Sequence, residues 1–200
     1  MDFESVQERL ALLRASVGDM SNQNVDNVVV RKVTLDGAKG VTFNFGTNSP
    51  EQSLNKIYAV LNNLSSMKDM IKTKLVDKGL DKTIVENAIN QSVHLGVLID
   101  LVNAYKHTGY PLRTPKSNLD PIINNVMECL TQRKDYTGMD YGYTLNPDTG
   151  ESRLGEGSHI IIDAEIYDKH NNKIFDIDEL IEESIAVWQS IITNYHLLES

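Results

Sequence analysis

The chain has 200 residues, 40% of them hydrophobic and 24% charged, with a formal net charge of −9. That apolar content excludes the low-hydrophobicity, high-charge profile of a disordered chain, and the negative charge weighs against extended contact with nucleic acid or an anionic membrane. Nowhere is there the run of roughly 18 apolar residues that a spanning helix needs, and Met1–Arg14 (MDFESVQERLALLR) lacks the apolar core of a secretion signal.

The expectation is therefore a soluble, cytoplasmic protein, one domain over residues 1–200, with no membrane partner. Cys129 is the only cysteine, so no intrachain disulfide and no thiolate metal cage can form. Within the apolar pattern IINNVMECL it reads as a buried structural thiol on a helix. Asparagine pairs such as Asn62–Asn63, Asn124–Asn125 and Asn171–Asn172 are the compositional trace of AT-rich coding or of a mobile element. Neither cofactor nor metal is implied by any motif.

In chain order, Phe3, Val6, Leu10, Leu13 and Val17 recur at spacings of three and four and predict a helix over Phe3–Val17. Val28–Leu35 is β-branched, Asp36–Gly40 supplies turn chemistry and Val41–Phe45 alternates, which predicts a hairpin. Ser49-Pro50-Glu51-Gln52 then signals a helix start three ways: a capping serine, a proline in first position and a glutamine three residues after the cap. That helix extends to Gly79.

Asp81 caps a third predicted helix from Lys82 to about His107, which Gly109, Pro111 and Pro115 terminate. Asn118 or Asp120, before Pro121, opens a fourth running to about Arg133. Tyr141–Leu145 and Glu151–Leu154 flank an Asn-Pro-Asp-Thr-Gly turn and form a second hairpin. His159–Tyr167 is a strand and Lys173–Phe175 a short return. Asp176 or Asp178 caps a last helix whose stripe is Ile177, Leu180, Ile181, Ser184, Val187, Trp188 and Ile191. This order lacks the βαβ rhythm of a parallel sheet. It predicts an α+β fold, a bundle of four to five helices with a small antiparallel sheet built from hairpins.

The third helix carries the chemistry. Its apolar residues around Asp100 fill an arc wider than about 200°, leaving a stripe of Gly96, Asp100, Asn103 and His107. Polar groups on a mostly buried helix need partners, and three sources are open: an interior or interface network, a bound small ligand, or a catalytic site. Lys106, Arg113 and Lys116, with Tyr105 and Tyr110 interleaved, form a positive stretch suited to a phosphate or a base, or a solvated loop near a helix C-terminus. Asp163 and Glu165 share a strand face and with His159 or Asp176 suit a hard cation, although solvent-facing charge accounts for them. Asp176, Asp178, Glu179, Glu182 and Glu183 open the last helix, where the dipole favours anions.

Asp100–His107, DLVNAYKH, resembles the helical signature of the HEPN-like (higher eukaryotes and prokaryotes nucleotide-binding) superfamily, Arg-Asn-x-x-x-His. Asn103 matches the asparagine and His107 the histidine, while Val102 stands where the family has arginine. The resemblance implies a helical bundle, commonly dimeric, and in active members a metal-independent ribonuclease of toxin and antiphage systems, with Asn103 and His107 as the catalytic pair. Valine cannot stabilise a reacting phosphate as arginine does, which favours a non-catalytic member. The expected function is thus a non-enzymatic interaction or accessory protein of a bacterial or phage conflict system. It is expected to form a homodimer through the Asp100, Asn103 and His107 surface, or to engage a protein partner. The alternatives are a divergent ribonuclease using His107, with RNA disfavoured by net charge, and a small-ligand-binding protein.

Overall fold

The capping box written at Ser49 forms. Ser49 Oγ accepts from the Gln52 backbone N–H at 3.3 Å, Gln52 Oε1 accepts from the Ser49 N–H at 2.7 Å, and Pro50 takes the first helical position. From this start α1 (Pro50–Asp77) runs 28 residues with Ile57, Leu61, Leu64, Met67, Ile71 and Leu75 fully buried. It ends on Gly79 at φ +71°, where the Leu80 N–H reaches back to the Leu75 carbonyl at 2.8 Å. Glycine adopts that left-handed conformation without the strain a side chain would bring.

The computed structural model describes residues 8, 9, 11, 13, 29–35, 38–44, 48–107, 114–132, 137–140, 142–146, 149 and 152–198. Of the helix expected at Phe3–Val17, Glu8, Arg9, Ala11 and Leu13 are described and are helical; the rest of that expectation lies outside the described residues. Leu13 is 1% exposed within the core, and Arg9 donates to Ser66 at 2.8 Å on α1.

Two expected helices are corrected. The one predicted from Lys82 to His107 is two, α2 (Thr83–Gln91) and α3 (Val93–Lys106). Ser92 interrupts it: its backbone is extended (φ −103°, ψ 115°) and its hydroxyl accepts from the Leu95 N–H at 3.2 Å, so it caps a new helix rather than continuing the old one. Asp81 does serve α2, accepting from the Thr83 N–H at 2.8 Å.

The helix predicted from Asn118 or Asp120 to Arg133 is instead strand β3 (Ile122–Gln132). It pairs antiparallel with β6 (Ser158–Tyr167), which in turn pairs with β7 (Lys173–Asp176), in the order β3-β6-β7. Long-range ladder pairing overrides the local pattern here. Cys129 is accordingly a half-buried strand residue, not a buried helical one; burial and then the neighbouring Asp163 raise its thiol pKa.

Along β6 the residues alternate strictly, with Ser158, Ile160, Ile162, Ala164 and Ile166 buried and the intervening ones half-buried. Ile162, Ala164 and Ile166 join the same core as the helices. Between Asn124↔Glu165 and Met127↔Asp163 the register slips by one residue, a bulge in which Asn125 takes φ +53°. Glu128, on the core side, accepts from Asn48 at 2.6 Å and from the buried Ser53 at 3.2 Å, tying the sheet to the start of α1.

α4 (Ile177–Asn194) packs its expected stripe on the core, with Ile177, Leu180, Ile181, Ser184, Trp188 and Ile191 buried. The two expected hairpins are present as β1 (Val29–Leu35) with β2 (Ala38–Asn44), and β4 (Tyr143–Leu145) with β5 (Ser152–Leu154). The chain is thus α+β, helices beside a small antiparallel sheet. Among the described residues no helix is long and apolar enough to cross a membrane. Because Ser49 and Gln52 satisfy each other's backbone N–H, Ser49→Ala is expected to cost about 1 kcal/mol, read as a lower urea midpoint with an unchanged slope.

Candidate functional site

The polar stripe of α3 divides into a buried half and an exposed half. At the buried half Gly96 sits under the chain segment that leads to β3: a Cβ at position 96 would meet the Ser117 Cα at 3.4 Å, so glycine there permits the close approach. One turn on, Asp100 is 1% exposed. Its carboxylate accepts from the Lys116 N–H and the Ser117 N–H, each at 2.8 Å, and from the Ser117 hydroxyl at 2.6 Å. All three contacts bring a donor to the Asp100 carboxyl group, which accepts at both oxygens.

At the exposed half Asn103 is half-buried, and Lys106 and His107 are exposed. The His107 backbone N–H closes the helix on the Asn103 carbonyl at 3.1 Å. Beside them Tyr105, 45% exposed, stacks on Tyr58 of α1 with centroids 4.0 Å apart and planes 17° from parallel, and its hydroxyl donates to Asn55 Oδ1 at 3.2 Å. Burial of Tyr58, and then Tyr105 beside it, raise the Tyr58 phenol above its ordinary pKa.

The structure separates residues that the sequence suggested together. Asp100 is held inside the fold by Lys116 and Ser117, while His107 lies seven residues further along α3, about 10 Å by helical rise. Lys116 approaches α3 by its backbone but sends its ammonium to Glu86 of α2 at 3.6 Å. Tyr110 and Arg113 lie outside the described residues. Two members of the arrangement were not legible beforehand: Ser117, which sits 17 residues from its partner Asp100, and Tyr58, which no local pattern links to Tyr105.

The second constellation lies on the outward side of β6. Glu165 is held down at a pKa of about 2 by hydrogen bonds from Lys173, then Asn125 and Tyr167. Lys173 bridges Glu165 at 2.8 Å and Asp176 at 2.6 Å, which raises its own pKa. Asp176 stands at the N-cap position of α4 without a side-chain capping bond. The capping role expected of it is corrected, since its carboxylate is engaged by Lys173. Asp163 is raised chiefly by burial, opposed by a hydrogen bond from the Ala164 backbone and reinforced by Asp176, Asp178 and Glu165. Among the described residues no group of three or more His, Cys, Asp or Glu side chains is placed to hold a metal ion.

Compared with protein-family models, curated proteins and solved structures, the chain gives no match.

Two outcomes follow from this geometry. Asp100→Asn turns an amide N–H₂ against one of two backbone N–H groups that only donate, and is expected to destabilise the fold by about 2–3 kcal/mol, measured by urea denaturation; a neutral result would mean that the Asp100 contacts contribute nothing net. For Glu165, whose folded pKa lies below the ordinary value of 4.5, the network's stabilisation is present above that value and is lost as pH falls through about 2. Lys173→Met should therefore move the Glu165 titration, followed by NMR, upward toward 4.5.

Proposed function

We propose that the chain is a non-enzymatic interaction or accessory protein of a bacterial or phage conflict system that self-associates as a homodimer through the exposed end of α3. The supporting observation is the Tyr58–Tyr105 stack, a rigid aromatic pair at the surface with Asn103, Lys106 and His107 around it. Aromatic residues held in place by their neighbours lose little entropy on docking and are enriched at interfaces. The Asp100 contacts support a non-catalytic role, because the acidic group nearest His107 on this helix is occupied in holding backbone. The conflict-system setting rests on the HEPN-like resemblance of DLVNAYKH.

A ribonuclease is the second reading, favoured by one observation: Lys106 and His107 are both exposed at the helix end. Light scattering across a dilution series separates the homodimer from a monomer, and an RNA-cleavage assay separates the two readings. The expected mass is twice 22.4 kDa, reduced by Tyr105→Glu with helicity unchanged; a constant monomer mass refutes the homodimer. Metal-free cleavage of a mixed RNA pool, lost in His107→Ala, would replace the interaction reading with the enzymatic one.

A further inference from the structure

Two polar atoms lie in the core without a hydrogen-bond partner among the described residues. Ser184 and Trp188 are each 0% exposed, and Ser184 Oγ and Trp188 Nε1 have no partner. They stand four residues apart on α4, one above the other on the same helical face, with Cβ atoms about 5–6 Å apart. The indole N–H only donates, whereas a serine hydroxyl donates and accepts.

Buried polar groups in native proteins find partners in protein or in ordered water. His94 Nε2 is also buried without a hydrogen bond, but its side chain is 20% exposed and it faces the Glu179 carboxylate at 3.8 Å, so solvent and a counter-charge are at hand. Ser184 and Trp188 have neither. Their neighbours on α4, Leu180, Ile181, Ile191 and Ile192, are buried and apolar, which leaves a charged ligand without compensation. A neutral molecule with both donor and acceptor capacity, small enough to fit one helical turn, meets the requirement.

We propose that Ser184 and Trp188 form an internal binding site for a single water molecule, which accepts from the Trp188 indole N–H and exchanges a second hydrogen bond with the Ser184 hydroxyl. A water so placed has the two partners that buried waters need. It fixes the Trp188 side chain and gives this stretch of α4 a polar contact inside an otherwise apolar core.

Trp188 is the chain's only tryptophan, so its fluorescence reports this site alone. A crystal structure of the full chain should show a density peak within about 2.7–3.2 Å of both atoms, and Ser184→Ala should shift the tryptophan emission to shorter wavelength as the polar partner is lost. A direct Nε1–Oγ hydrogen bond, or no peak between the two atoms, overturns the proposal, as does an emission spectrum unchanged in a folded Ser184→Ala protein. Should that variant fail to fold, the wild-type crystal decides.

Discussion

The Asp100 carboxylate organises the passage from helices to sheet. It is buried on α3, and its three hydrogen bonds all come from Lys116 and Ser117, the segment that leads into β3. Ser117 passes the restraint on, since its hydroxyl also accepts from the Leu119 N–H at 3.2 Å, and the Leu119 carbonyl accepts from Lys169, in the turn between β6 and β7, at 3.2 Å. A run of hydrogen bonds thus leads from the centre of the bundle to the far end of the sheet. A buried carboxylate is expensive to desolvate, and what that cost secures is placement: the strand entering the sheet starts from one position relative to α3.

This placement explains why one helix has two characters. From Leu95 to Val102 α3 is core, with Leu95, Val97, Leu98 and Leu101 at 1% exposure or less. Beyond that point Tyr105, Lys106 and His107 are exposed. Lysine and histidine at a helix C-terminus are favoured by the dipole, and Tyr105 is steadied by Tyr58 and Asn55. The aromatic surface invoked for self-association is therefore a product of how the core beneath it is braced.

The sequence was most legible where the determinants were local. Ser49 through Gln52 specify their helix start within four residues, and the α4 stripe follows simple helical spacing. The wide apolar arc of α3 correctly marked a central helix, and its polar stripe correctly marked groups in need of partners. Who the partners are was hidden, because Ser117 and Asp100 meet only after the chain has turned back. The strand β3 misled for a related reason. Ile122, Ile123, Val126, Met127 and Leu130 fall at helical spacings, and the bulge at Asn125 removes the alternation that would have marked a strand. Its pairing with β6, more than 25 residues away in the chain, settles the matter. Ser92 was overlooked since a serine inside a periodic run signals a cap only once the chain is known to change direction there.

The bulge also divides β3 into two reading frames. Before it, odd-numbered Ile123 lies opposite Ile166 on the core face; after it, even-numbered Glu128 and Leu130 lie opposite Ile162 and Ile160 on that same face. Loss of the extra residue at the bulge would restore a uniform ladder with both halves still facing the core, whereas loss of a residue elsewhere in β3 forces one half of the strand to exchange inside for outside. Divergent versions of this chain should consequently tolerate substitution along β3, or a one-residue gap at the bulge, far better than a change of length elsewhere in the strand.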